Sequence, residues 1–430
     1  MKLSVMIVLG LAACSAAAKP ASPAESFSVN GLTVIVAPNA ATDIVAAGMY
    51  FRGGSSVLDA RQAGIEALAL RVAIHATKNY PKGVLDAALE GMDTRIAPAA
   101  GRDYASLALQ CVRENFPRSW KIFTDMILNP SFDSADVELE REQMLSGIRQ
   151  SKDNPDQYLS TLAMEAFYVD NPYAVDPSGS EATVRSFSPA DLRAFLKSKV
   201  TARGMLLVVV GNTTRGEVEG MVRESFGTLP AGTESVAAVP GVSFQAPSVK
   251  IVRRELPTNY IMGCYSAPRF GSAESYPMIL AESILQDRLF EEVRTKRSLS
   301  YAPAAGLGRL FTNYGLIYVT AVRPDTTLNV MLGELKKLQE EPVTEKALED
   351  QRNLYLTRYY LSTETNGAQV EFIARYELSG AGYGEAGRYL ENIRAVTPGA
   401  IQAACRKYFH NLQFVLIGAP AEIRLESFSY

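Results

Sequence analysis

The sequence predicts an α+β protein built from two homologous α/β sandwich domains, each of about 200 residues, with mixed sheets covered by helices. Three observations carry that prediction. The chain has 430 residues, too many for one ordinary domain. Each half opens with strands, passes a Gly/Ser turn into a helix, and closes on an apolar strand ending in Gly, from Leu206 to Gly211 and from Phe414 to Gly418. A stretch rich in Pro, Gly, Ser and Ala separates the halves, so the domains are expected at 27–230 and 249–430 with a linker at 231–248. The mixed order of strands and helices fits a layered sandwich better than a doubly wound parallel sheet.

Residues 1–13 read as a signal peptide. Lys2 supplies a positive charge, and 4–13 is an apolar core too short to span a bilayer as a mature helix. The core ends Leu11-Ala12-Ala13-Cys14, which resembles a bacterial lipobox. That resemblance implies cleavage before Cys14, acylation of its thiol and amine, and a flexible tether over 14–26. The alternative is a plain signal peptide cut near Ala13 or Ala18. Either way the chain is exported. Ser15 after the cysteine fits outer-membrane sorting, so the expected location is the periplasm of a Gram-negative bacterium, lipid-anchored to the outer membrane.

The elements follow in order. Residues 27–36 flank Asn30-Gly31 and predict a hairpin. A strand is expected over 44–51. Ile65, Leu68, Val72 and His75 recur at three- and four-residue steps, which predicts one apolar helix through 64–80. A helix at 84–91 and strands at 94–97 and 104–112 come next. Three helices follow: 114–128, stopped by Asn129-Pro130; 134–151, with Ser134 as N-cap and acidic residues in its first turn; and 155–168. Ser188-Pro189 starts a short helix, 205–210 is a buried strand, and 215–226 is helical. In the second half, strands are expected at 249–255, 259–266, 315–322 and 412–417. Helices are expected at 276–294, 326–340, 344–361, 372–378 and from Thr397 to Tyr408.

Composition narrows the function. A net charge of −3 leaves no basic footprint for nucleic acid. Only two histidines occur, His75 and His410, so an all-protein zinc site is hard to assemble and Ser-His or Cys-His catalysis has little to draw on. An unrelated metal enzyme using His75 or His410 ranks low. Cys111, Cys264 and Cys405 lie in apolar contexts and read as buried free thiols.

Three local patterns remain. The first is Gly64-Ile-Glu-Ala67-Leu-Ala-Leu70-Arg71, followed by Thr77-Lys78-Asn79 and Tyr80-Pro81. The second is Glu140-Arg141-Glu142-Gln143-Met144-Leu145-Ser146-Gly147-Ile148. The third is Arg288-Leu-Phe-Glu-Glu-Val-Arg294-Thr-Lys-Arg-Ser298-Leu-Ser-Tyr301. Together they resemble the pitrilysin/insulinase and mitochondrial processing peptidase family of zinc metallopeptidases, over nearly all of the mature chain. The family pattern has Gly-x-x-His-x-x-Glu-His at the first place; here the ligand and base positions are Ala67, Leu70 and Arg71. The family's further zinc-binding Glu falls at Gly147. Glu140 remains, and alone it reads as a solvated carboxylate or a surface ion pair.

The third pattern is intact apart from Ser298 in place of Gly. The resemblance gives Arg294 and Tyr301 a substrate-binding role, the Arg gripping peptide carbonyls and the Tyr donating to a developing oxyanion. Without it they read as a structural Arg near a helix C-terminus and a Tyr packed beyond it. In two-domain members that work as dimers, the zinc motif can lie on one subunit and the Arg/Tyr pair on the other. The resemblance therefore implies the non-catalytic subunit of a periplasmic heterodimeric zinc metallopeptidase. Such a chain binds no metal or other cofactor, leaves zinc to a homologous partner, and helps to enclose a chamber for unfolded peptides. Autonomous zinc hydrolysis by the family mechanism is excluded, because no bound water would be activated. The alternative is a non-enzymatic scaffold or peptide-binding lipoprotein of a larger envelope assembly.

Overall fold

The computed structural model describes residues 24–233, 238–419 and 424–430. Cys14 and the signal segment lie outside the described residues, as do 234–237 of the expected linker. The first half runs β1 (Glu25–Val29), β2 (Leu32–Pro38), β3 (Ile44–Arg52), α1 (Ile65–Ala73), α2 (Lys82–Gly91), β4 (Arg95–Ala100) and β5 (Tyr104–Val112). It continues through α3 (Phe116–Leu128), α4 (Ser134–Asp153), α5 (Pro155–Phe167), α6 (Glu181–Ser186), α7 (Pro189–Lys199), β6 (Met205–Gly211) and α8 (Arg215–Phe226). The second half runs β7 (Ser248–Arg253), β8 (Asn259–Ser266), α9 (Ser275–Leu289), β9 (Ala304–Leu307) and β10 (Tyr314–Ala321). Then come α10 (Pro324–Glu340), α11 (Glu345–Ser362), α12 (Asn366–Leu378), α13 (Tyr383–Arg394), α14 (Pro398–Tyr408) and β11 (Gln413–Gly418).

The two sheets repeat one topology. Their strand orders are β1-β2-β6-β3-β5-β4 and β7-β11-β8-β10-β9. Apart from the extra β1, each strand of the second sheet has the first-half strand five numbers lower in the same place. β2 pairs parallel with β6 as β7 does with β11, and the other neighbours are antiparallel. The α+β reading with two homologous halves therefore holds. β1 and β2 join through Asn30-Gly31 at φ 51° and 94°, the left-handed pair a two-residue hairpin turn demands.

Both sheets are apolar on two faces, because successive side chains of a strand point opposite ways. Along β6, Met205, Leu207 and Val209 join the first-half helices in one core. Leu206, Val208 and Val210 face the other way and meet Val370 and Ala374 of α12. The second half mirrors this. Phe414 and Leu416 of β11 pack with their own helices, while Val415 and Ile417 meet Leu159, Leu162 and Phe167 of α5. Each half thus lends one helix to the far face of the other's sheet. Gly48 lets α12 come close, since a Cβ there would meet Val370 at 2.8 Å.

Polar contacts fix the exchange. The Tyr50 hydroxyl donates to Glu371 at 3.0 Å, and Tyr104 donates to the same carboxylate. Asn366 donates to the Ile44 carbonyl at 2.6 Å. On the other side Tyr168 donates to the Thr312 carbonyl at 2.7 Å. Asp103 accepts from the Tyr173 hydroxyl and from the Phe311 N–H at 3.1 Å, so it links the halves.

Several expectations change. The helix expected through 64–80 ends at Ala73. Beyond it Thr77 and Asn79 turn their side chains onto Asp125 of α3, which offers the backbone an alternative to helix. Asp133, not Ser134, is the N-cap residue of α4. The helix expected at 372–378 starts at Asn366, capped by Thr365. β1 begins at Glu25, inside the stretch read as tether. α6, β9 and α13 were not foreseen. Cys111, Cys264 and Cys405 are buried and free, as expected.

Burial pushes the Asp103 carboxyl up to about 6, against its hydrogen bonds and the nearby arginines. A raised carboxyl favours the folded state in acid, and that contribution is lost as pH rises through about 6. Asp103→Asn keeps an acceptor for Phe311 and removes the charge. In urea unfolding, its stability relative to wild type should rise by about 2 kcal/mol between pH about 4 and about 7.5. A difference that stays flat over that range contradicts the assignment.

Candidate functional site

Gly64 is the N-cap of α1, and its φ of 89° and close neighbours leave no room for a side chain: a Cβ would meet the Ser178 carbonyl at 2.9 Å. The loop at 174–180 is therefore pressed against the start of α1. Ile65, Leu68, Leu70 and Val72 are buried in the first core. Ala67 and Arg71, one turn apart, share the partly exposed stripe that looks toward α4.

Glu140 of α4 sits opposite that stripe. Arg71 Nε donates to its Oε2 at 2.6 Å, and His75 Nε2 lies 2.7 Å from its Oε1. Arg71 Nη2 also donates to Gln143 at 3.1 Å. Glu140 is only 6% exposed, so the expected solvated or surface carboxylate is instead a buried one, held between a guanidinium and an imidazole. Sequence reasoning valued neither His75 nor Gln143 here. The signal was helical spacing: His75 follows Arg71 by four residues, and Gln143 follows Glu140 by three.

Ala67, Arg71 and Gly147 line one side of a cavity of about 710 Å³, closed by α5 and the loop 174–180. A Cβ at Gly147 would meet nothing within 4 Å. A zinc ion finds no donor set there. Ala67 offers a methyl, Leu70 is buried, Gly147 has no side chain, and the Arg71 cation would repel a metal. Glu140 is taken up by its two partners. Among the described residues no three His, Cys, Asp or Glu side chains gather in a set able to hold a metal ion.

Arg294 and Tyr301 lie elsewhere. α9 passes at Leu289 into a π-helical turn over Phe290–Thr295. Ser298, standing where the family pattern has Gly, takes φ 48°, the left-handed conformation that Gly adopts freely. The chain then folds back so that the Arg294 guanidinium carbon lies 4.0 Å from the Tyr301 ring centroid and 4.7 Å from that of Phe290. Tyr301 is 78% exposed, which removes the reading of a packed tyrosine. Among the described residues no hydrogen bond, ion pair or ring contact joins this stack to α1 or α4, and neither residue lines the cavity.

Two family models match the chain. "Insulinase (Peptidase family M16)" covers residues 33–176, and "Peptidase M16 inactive domain" covers 186–355. A relative described as an uncharacterized zinc protease of Rickettsia felis is 22% identical over 419 residues, spanning 93% of this chain and 99% of its own. Cytochrome b-c1 complex subunit 1 of Bos taurus is 21% identical over 241 residues, 55% of this chain and 50% of its own. Among solved structures, a peptidase M16 inactive domain from Pseudomonas fluorescens has a TM-score of 0.84 at 20% identity, covering 94% of this chain and 99% of that one. The periplasmic protease PqqL of Escherichia coli has a TM-score of 0.74 at 17% identity, covering 93% of this chain and 48% of that one.

Two stability predictions follow from the local geometry. Arg71→Ala leaves the buried Glu140 carboxylate with His75 alone and should cost about 2 kcal/mol in urea unfolding; adding Glu140→Gln should recover part of it. A loss under about 0.5 kcal/mol would mean that Arg71 is a bystander. Ser298→Gly should stabilise the chain by about 1 kcal/mol and Ser298→Ala should not, read as shifts in thermal midpoint. Equal midpoints for the two variants contradict a strained turn.

Proposed function

The chain belongs to peptidase family M16, as a non-catalytic member, and on that premise we propose that it is the partner subunit of a heterodimeric zinc metallopeptidase. In this reading a homologous subunit carries zinc. This chain shapes the chamber and presents Arg294 and Tyr301 to the peptide held at the partner's metal. One observation carries the proposal. The positions that would serve a metal in this chain, Ala67, Leu70, Arg71 and Gly147, have lost all donors, while the Arg294/Tyr301 stack is complete and turned to solvent.

The chemistry of the stack supports the role. A guanidinium held close to two aromatic rings keeps N–H groups to offer to carbonyl oxygens. The exposed phenol beside it is free to donate to an oxyanion. A periplasmic location fits the signal segment and the name of the E. coli structural neighbour. Lipid anchoring at Cys14 belongs to the same proposal. A second reading, a non-enzymatic scaffold, is favoured by one relative whose name makes it a subunit of the cytochrome b-c1 complex.

Reconstitution separates the two. Alone, the chain should not cleave a fluorogenic peptide; mixed with a zinc-bearing homologue from the same cell it should produce partner-dependent cleavage. Arg294→Ala with Tyr301→Phe should lower that rate by about tenfold or more while leaving assembly intact. An unchanged rate removes the substrate-binding role. A stable assembly in which this chain changes no rate favours the scaffold.

A further inference from the structure

We propose that the cavity between α1, α4 and α5 is a binding pocket for a carboxylate that carries an apolar group, with Arg71 as the anion-binding side chain. This goes beyond the subunit role and needs no partner. The cavity's volume of about 710 Å³ is that of a small-molecule pocket, and Ala63, Met144, Ile148, Leu162 and Val175 give it apolar walls. Ala67 and Gly147 open its floor, because neither side chain reaches across from α1 to α4.

Arg71 is the polar group with capacity to spare. A guanidinium has five N–H donors. Its Nε–H goes to Glu140 and one Nη2–H to Gln143, while Nη1 has no acceptor among the described residues. The side chain is 40% exposed and lines the cavity. Its outer edge therefore faces the space with the paired donors that suit a carboxylate. Both Glu140 oxygens are engaged by Arg71 and His75, so neither competes for the free Nη1 donors. The other charges on the wall have counter-ions of their own. Lys152 lies 3.3 Å from Glu181, Glu165 lies 3.8 Å from Lys250, and Asp176 lies 3.7 Å from Arg102. Arg71 thus brings a permanent cation with paired free donors to an apolar cavity, which selects an acid with a greasy tail.

Two sources offer that chemistry, a free aliphatic acid and the C-terminal residue of a peptide. Calorimetric titration of the full isolated chain distinguishes them with three probes: decanoate, acetyl-Ala-Leu with a free carboxylate, and its C-terminal amide. At least one acid should bind with one-to-one stoichiometry, and the amide should bind about tenfold or more weakly than the peptide acid wherever that acid binds. Decanoate binding alone identifies a free amphiphile; binding of the peptide acid identifies a chain terminus. Gly147→Leu, entering open space, should weaken binding by about tenfold with an unchanged thermal midpoint and the Arg71–Glu140 contact retained. Arg71→Gln should abolish the preference for acid. The proposal is overturned if neither acid binds, if peptide acid and amide bind alike, or if folded Gly147→Leu binds as wild type does. None of these outcomes touches partner-dependent cleavage, so the two proposals fail separately.

Discussion

Everything in this fold depends on covering two sheets that are apolar on both faces. The central strands β6 and β11 are buried along their whole length. Helices of the same half cover one face of each sheet. The opposite face is covered by α12 on the first sheet and α5 on the second, each lent by the other half. Removing either half would expose a band of Val, Leu and Ile that neither sheet could hide alone. The same exchange builds the site. α5 follows α4 through the Asn154 cap and Pro155. Its Leu162 lines the cavity and also belongs to the core beneath the second sheet. The cavity's wall is therefore packed against the far half of the molecule.

Internal symmetry explains why the cavity is open. Aligned on their N-caps, Asp133 of α4 and Thr344 of α11, Glu140 corresponds to Gln351 and Gly147 to Arg358. Gln351 reaches Asp287 of α9 as Glu140 reaches Arg71 of α1. Four residues earlier on each helix, Ala67 corresponds to Ser283. In the second half these positions meet: Ser283 donates to Gln351 at 2.6 Å, and Arg358 approaches Ser283 at 3.4 Å. The seam between the helices is filled by hydrogen-bonded side chains. In the first half the corresponding residues are a methyl and a hydrogen, so the same seam stands open.

Much of the fold was legible because its signals are local. The unbroken apolar run 205–210 announced a strand buried on both faces, Asn30-Gly31 announced a hairpin, and Ser188-Pro189 a helix start with its capping box. α13 was hidden by Gly380, Gly382, Gly384 and Gly387, which weaken a helical reading although Ala386 and Ile393 sit on its buried face. β9 is four residues long, too short for a period to emerge. The site was legible in part. The blank positions Ala67, Leu70, Arg71 and Gly147 can be read along the chain, but their consequence cannot. The burial of Glu140 and the cavity both depend on α5 and the loop 174–180, which are brought to α1 by packing alone.

Arg71 gives the cluster between α1 and α4 its character. A buried carboxylate such as Glu140 needs a positive partner or a proton to be tolerated. A permanent guanidinium on the facing helix meets that need without a metal, and its planar fork does so while leaving donors over. Replacement of the whole cluster by packed apolar residues would often be as stable or more so. Stability alone therefore does not account for a polar cluster kept beside an open apolar space. Nor, among the described residues, is the cluster coupled by contact to the Arg294/Tyr301 stack, which is built on the other half around a π-helical turn. Groups so separated, with no shared partner, act independently unless an element with two arrangements links them. α5, which walls the cavity, and α9, which leads into the stack, are both packed in the cores of the second sheet. The two sites are thus separate in the fold, the Arg71–Glu140 cluster on the first half and the Arg294/Tyr301 stack on the second.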